Sequence, residues 1–294
     1  MNASSRDPAA PAVSLVIGSG SVKCAAAIGV VNALTEEGIA VERFVGCSAG
    51  AIFAAVLALG YGTKESMEAT RRLWTSDITA KRNTMGMLRA LAPRLFGFKV
   101  ESFGLRDDGP KDQMLNSFFG DRRIEDAQTP LHITATDFAN GELVDLDRGS
   151  IADAIRASVA LPFAFAPVRI GDKLLVDGYL ADPLPVSVAI KHGGRVIIAV
   201  GFESPYQERI GSAGRFAFQL SAIMSNNLLK SRFSFHSVAH HSEVIAIIPE
   251  FRQRIRLFDT EKLPYIVEEG EACMRAQMPY LRELLAADRA AVAS

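Results

Sequence analysis

Ser48 stands between two glycines, in Gly46-Cys47-Ser48-Ala49-Gly50. A short apolar run, Arg43-Phe44-Val45, leads into this pentapeptide, and small and apolar residues from Ala51 to Leu59 follow it. That order reads as strand, tight turn, helix. G-x-S-x-G in such a setting is a nucleophile elbow. The glycines let strand and helix approach closely and admit a strained backbone, so the serine hydroxyl projects from the top of a sheet. The start of the next helix adds unpaired N–H groups and a positive dipole end where an oxyanion would form. The chemistry is attack on an acyl carbon. Taken alone, the pentapeptide also suits a serine that caps a helix.

Such a serine needs a base. Ser48, Asp177 and one of His236, His240 or His241 fall in the order Ser…Asp…His of the α/β-hydrolases. Two features speak against that triad. Only one strand precedes the elbow strand, and the late histidines lie in an amphipathic helical pattern where a solvated imidazole needs no catalytic role. His132, within a strand, and His192, before Gly193-Gly194, read as structural. Cys47 neighbours the serine, but the elbow turns its side chain away from substrate, so it is expected to pack. Asp137 and Asp182 suit turns or caps. Asp145 and Asp147 hint at a cation, but no histidine or third carboxylate is spaced to complete a site. Neither metal nor cofactor is expected.

The elements that must position these residues follow a strand–helix alternation. Val13–Ile17 is a compact apolar strand. It runs into Gly18-Ser19-Gly20-Ser21-Val22-Lys23-Cys24, a loop of small residues. G-x-G-x-x-G is absent, since Lys23 occupies the sixth position, so a dinucleotide fingerprint is not the better reading. Backbone N–H groups lining an anion or oxyanion site are. A helix from Ala25 to Glu37, stopped by Gly38, precedes a strand over 41–45. Further helices are expected at 64–74, 84–95 and 111–119. Strand 131–136 and the Asn140-Gly141 turn predict a hairpin with 142–146. A short helix over 150–158 precedes a second hairpin, 168–170 with 173–176. A strand over 195–200, a helix over 216–235 and a strand over 243–248 follow. The last helix, 262–285, is expected to kink or divide at Pro279. The pattern predicts a three-layer α/β/α fold with a mainly parallel sheet covered on both faces.

Composition narrows the function classes. With 294 residues, 49% of them hydrophobic, the chain has ample core for one large domain. A net charge of -1 gives no footprint for nucleic acid. Three cysteines are too few and too scattered for a disulfide framework and suit a reducing compartment. Residues 1–12 read as a disordered lead without the marks of a signal peptide. No stretch is long and apolar enough to span a membrane, so a cytoplasmic protein is expected. Between Lys81 and Lys99 the charges are all basic and interleave with Met, Leu and Phe. Such a segment suits an ordinary amphipathic helix, a lid, or contact with an anionic membrane at its inner face.

Several blocks together resemble the patatin-like phospholipase family. They are the small-residue loop with Lys23, the elbow at Ser48, Thr136-Asp137-Phe138-Ala139-Asn140-Gly141-Glu142, Ala157-Ser158 through Pro167-Val168, and Leu175-Val176-Asp177-Gly178 through Pro185-Val186. They occur in the family's order. The resemblance implies a single patatin-like domain over 13–294, with 75–117, which matches none of the blocks, as a cap or lid. It implies a serine lipid acyl hydrolase with a Ser48–Asp177 dyad and no histidine between. Gly20, Ser21 and Ala49 would form the oxyanion hole, while Gly18, Lys23, Gly46, Gly50 and Gly178 shape the motif loops. A lipid or acyl ester is the implied substrate. The family's loop usually reads Gly-Gly-Gly-x-Arg/Lys-Gly, whereas Ser19, Ser21 and Cys24 stand at glycine positions in this chain. Tyr179 stands where Gly or Ala is usual. These departures support a second expectation, a lipid-binding relative with weak or lost turnover.

Overall fold

The apolar runs become strands of one sheet in the computed structural model, which describes residues 12–293 apart from 205, 207, 208, 240 and 241. The first eleven residues of the expected lead lie outside that range; Ala12 already belongs to the first strand. In chain order, β1 (Ala12–Ile17) passes through the Gly18 loop and a 3-10 turn, Ser21–Ala25, into α1 (Ala26–Glu36). β2 (Ala40–Cys47) then leads to α2 (Ala49–Ala58). Next come α3 (Thr63–Leu73), α4 (Asp77–Ala80), α5 (Thr84–Leu91), α6 (Pro93–Phe96) and α7 (Gly109–Phe119). β3 (Leu131–Asp137) and β4 (Leu143–Leu146) form the first hairpin and precede α8 (Ile151–Ser158). β5 (Val168–Ile170) and β6 (Lys173–Asp177) form the second. The chain closes with α9 (Val186–Lys191), β7 (Val196–Val200), α10 (Ala213–Ala239), β8 (Glu243–Ile247) and α11 (Leu263–Ala293).

The sheet order is β5-β6-β3-β2-β1-β7-β8, with β4 also paired to β3. β3, β2, β1, β7 and β8 are parallel to one another, and the β4, β5 and β6 pairings are antiparallel. Every residue of β3 and β7 is buried, as expected of strands covered on both faces. Side chains alternate across β1. Leu15 and Ile17 join a core with Ile28 of α1, Phe53 of α2 and Ile266 of α11. Val16 points the other way, among Val186 and Val188 of α9 and Leu229 of α10.

Two local expectations change. The predicted helix 84–95 is broken at Pro93, which has no N–H to donate and pushes Ala92 out of the helical region (φ −129°, ψ 61°). Conversely, α11 runs through Pro279 undivided. Met278 and Leu281 on either side are buried in the core, so packing holds the helix together across the missing hydrogen bond.

Candidate active site

The elbow is built as its residue types require. Ser48 adopts φ 55° and ψ −127°, a backbone that costs a non-glycine residue about 1–3 kcal/mol. Packing holds it there. A Cβ at Gly50 would stand 2.3 Å from the Ile17 carbonyl oxygen, and one at Gly46 would stand 2.5 Å from Ala51 Cα. Only glycine lets α2 seat this closely on β1 and β2. A further brace comes from a residue to which the sequence assigned no role. The Ser48 N–H donates to Ser158 Oγ (2.8 Å), whose hydroxyl donates to the Thr134 carbonyl (2.7 Å). Ser158 lies inside one of the family blocks, but no spacing rule links it to residue 48.

Ser48 Oγ donates to Asp177 Oδ2 at 2.8 Å. The register explains the meeting: Cys47 pairs with Thr134 and Asp177 with Ala135, adjacent positions on β3. Asp177 is 1% exposed, and the Tyr179 N–H donates to its other oxygen at 3.1 Å. Burial pushes its carboxyl up to about 7, against the opposing pull of that N–H, the Ser48 hydroxyl and the charge of Lys111. A carboxylate with that pKa is a far better base near neutral pH than an ordinary aspartate.

Lys111 is a second residue the sequence did not single out. It is 3% exposed on α7, with Nζ 2.8 Å from Asp108 Oδ1 and 4.5 Å from the centre of the Phe165 ring. Its positive charge favours ionised Asp177. Lys111→Met is therefore expected to move the acid limb of any Ser48-dependent pH–rate profile to higher pH; an unmoved midpoint in a folded variant would deny this coupling.

The Gly18 loop abuts the start of α2, where a Cβ at Gly50 would stand 2.5 Å from the Gly18 carbonyl oxygen. The N–H groups of Gly18 and Ser19 are occupied, by the Val200 and Pro183 carbonyls, both at 2.9 Å. Those of Gly20 and Ser21 enter no loop or turn hydrogen bond among the described residues. The Ala49 N–H, at the start of α2, has no intrahelical acceptor. A Cβ at Gly20 would lie 2.3 Å from the Phe202 ring. Of the three replaced glycines, only Ser21 has positive φ (59°). Cys24 is buried, and its Sγ donates to the Gly18 carbonyl at 3.3 Å, closing the loop. Ser21→Gly removes the one strained backbone among the three and is expected to raise stability by about 1 kcal/mol. Chemical denaturation measures this; a loss would mean that the Ser21 side chain contributes more than its strain costs.

The remaining residues separate clearly. Lys23 Nζ reaches the Glu203 carbonyl at 3.5 Å, a loop brace. Cys47 is buried, its Sγ directed at the Asp182 carbonyl, and burial raises its thiol well above the ordinary value. That state is unreactive. Tyr179 is buried with its hydroxyl beside Ser221 of α10. His236 lies on α10, while His240 and His241 fall outside the described residues. Asp145 is corrected by the fold. The sequence offers no histidine at ligand spacing, yet His132 and His192 both converge on its carboxylate.

A cavity of about 190 Å³ lies between the loop Leu161, Pro162, Phe163 and Ala164 and the α10 residues Phe218 and Ser221. That loop starts next to the Ala160 carbonyl, which accepts the Asp177 N–H at 3.1 Å. The segment 77–108 docks on the loop through Leu105 N–H to Phe163 O (2.8 Å) and Arg106 N–H to Ala164 O (2.9 Å). By contrast, α7 buries Leu115 and Phe119 in the main core. A larger hollow of about 500 Å³, bounded by Asn116, Arg123, Ser150 and Asp153, contains none of the groups above.

A family model described as patatin-like phospholipase matches residues 15–190. An uncharacterized NTE family protein of Mycobacterium tuberculosis is 32% identical over 174 residues, 59% of this chain and 27% of that protein. A second from the same organism is 32% identical over 195 residues, covering 66% and 50%. Patatin-like phospholipase domain-containing protein 7 of Mus musculus is 29% identical over 195 residues, 64% of this chain and 13% of that one. The chain thus spans about a quarter to a half of the mycobacterial proteins. The crystal structure of VipD from Legionella pneumophila shares the fold, with a TM-score of 0.50 and 16% identity over 95% of this chain and 67% of that one.

Proposed function

The chain belongs to the patatin-like phospholipase family, and from that premise we propose that it hydrolyses a carboxylic ester of a lipid through an acyl-enzyme on Ser48, with Asp177 as the base. The observation that carries this reading is the 2.8 Å bond from Ser48 Oγ to a buried carboxylate whose pKa is near neutral. Asp177 takes the Ser48 proton as Oγ attacks the ester carbon. The oxyanion forms against the N–H groups of Gly20, Ser21 and Ala49. Collapse expels the alcohol, which leaves with the proton from Asp177. Water, deprotonated by Asp177, then releases the acid and restores Ser48. Residues 13–294 act as one domain, with 77–108, the part of the expected 75–117 that precedes α7, as its cap. The rival reading, lipid binding without turnover, draws on the strained Ser21 in the loop. A fluorophosphonate probe separates the two. Labelling that is lost in Ser48→Ala, together with turnover of p-nitrophenyl esters, is the expected result. No labelling and no Ser48-dependent turnover at any chain length would leave the rival.

The substrate enters from a lipid surface in this reading. Leu91 and Leu95 are 83% and 81% exposed, Phe96 and Phe98 are also exposed, and Arg89, Arg94 and Lys99 lie among them with no acid between 81 and 99. Among the described residues no helix is long and apolar enough to cross a membrane, so the contact would be peripheral. Arg94→Glu with Lys99→Glu is expected to weaken partitioning onto anionic vesicles by at least about thirtyfold in co-sedimentation, because each of the two basic residues near such a surface contributes about 1 kcal/mol. Unchanged co-sedimentation would remove this segment from the membrane contact.

A further inference from the structure

His132, Asp145 and His192 come from three elements that share no local sequence pattern. His132 lies within β3, Asp145 on β4, and His192 caps α9 just before Gly193 turns the chain toward β7. His132 Nδ1 is 2.9 Å from Asp145 Oδ1, and His192 Nε2 is 2.8 Å from Asp145 Oδ2. The ring centres are 4.1 Å apart. One ligand atom from each residue falls within 4.8 Å of the other two. The side chains are 8%, 14% and 29% exposed, so the cluster is sheltered but open at His192.

We infer that this cluster is a binding site for a divalent transition-metal ion of the zinc class, held by His132, Asp145 and His192. Two imidazoles and a carboxylate form a borderline nitrogen–oxygen donor set. Such a set favours zinc, cobalt or nickel over magnesium or calcium, which take oxygen ligands. Three protein ligands leave the fourth tetrahedral position to water, and the open side at His192 admits one. Zinc bonds of about 2.0–2.1 Å place tetrahedral ligand atoms roughly 3.4 Å apart, so the imidazole–carboxylate pairs at 2.9 and 2.8 Å would open slightly while the overall spread, up to 4.8 Å, would close.

The ion would act as a staple. It would tie the β3–β4 hairpin to the end of α9. It would also stiffen β3 two residues before Thr134, whose carbonyl anchors the Ser158 brace beneath the elbow. This role does not depend on the ester chemistry proposed for Ser48.

The test uses the full chain, without a polyhistidine tag and stripped with a chelator, titrated with Co²⁺ and then Zn²⁺. Expected are one Co²⁺ per chain with visible d–d bands of a low-coordinate nitrogen–oxygen site, displaced by Zn²⁺, and a chelator-reversible rise in melting temperature with Zn²⁺ but not Mg²⁺. His192→Gln and Asp145→Asn should each weaken Co²⁺ binding by about tenfold or more. His192 is the decisive position because it is the most exposed of the three, so its variant is expected to fold. Absence of the bands in the wild type, or equal Co²⁺ affinity in wild type and folded His192→Gln, would overturn the site and leave a cluster of hydrogen bonds only.

Discussion

Ser48→Ala is expected to lower turnover of a short-chain p-nitrophenyl ester by at least about a thousandfold, and Asp177→Asn by a similar factor. Removing a nucleophile or its base from a unit that acts together typically costs this much or more, and the two losses do not add. The double variant should therefore be hardly worse than either single one. The reason lies in the geometry. Asp177 Oδ2 is the acceptor of the Ser48 hydroxyl, and an asparagine amide in its place cannot take the proton. Alanine at His236, His240 or His241 should leave most activity intact. Loss of turnover on one of those changes, in a protein that still folds, would replace the dyad with a triad. The elbow itself would be untouched, since Ser48 adopts its strained φ of 55° under packing from Gly46 and Gly50.

The second large effect concerns stability and pH. Asp177 has a folded pKa of about 7 against an ordinary 3.8. Between about pH 4 and 7 the folded chain therefore retains a proton that the unfolded chain has already released. The stability associated with this group is full below about pH 4, falls as pH rises through the window, and is constant above about pH 7. A difference of about three pK units at about 1.4 kcal/mol each gives a cost of roughly 4 kcal/mol at alkaline pH. Asp177→Asn cannot ionise. It should be more stable than the wild type by up to that amount at pH 8, and the advantage should vanish near pH 4. Urea denaturation at the two pH values reads the difference directly; an advantage independent of pH would contradict ionisation of a buried carboxyl as its cause. Hydrolysis should follow the opposite course. The base works only when ionised, so kcat/KM should rise about tenfold per pH unit up to about pH 7 and then level off. The residue proposed for catalysis is thus expected to destabilise the fold under the conditions in which it works.

The strands, the two hairpins and the elbow were legible in the sequence because each depends on neighbours along the chain. Alternating or continuous apolar runs specify strands, Asn140-Gly141 specifies a turn, and Gly46 and Gly50 specify a close strand–helix approach. Pro93 and Pro279 show the limit of local rules. The first breaks a helix whose end is exposed at Leu95. The second lies between Met278 and Leu281, both buried, and breaks nothing.

Residue order alone was enough to specify the parallel sheet and the strained Ser48, and family resemblance added Asp177 as its partner. Desolvation of Asp177 could be anticipated from its pairing with Ser48, but its extent and its other partners came only with the folded chain. Its burial and the Lys111 charge come from elements distant along the chain, and only the Tyr179 N–H is a local contact, two residues on. The fold also showed which replaced glycine carries strain: Ser21 does, whereas Ser19 and Cys24 do not. The Ser158 brace and the convergence of His132 and His192 on Asp145 were likewise invisible, since they join positions up to 110 residues apart. Backbone preferences act over a few residues and leave a local trace. Desolvation, charge and hydrogen bonding act through space, so they appear only once the chain has brought distant residues together.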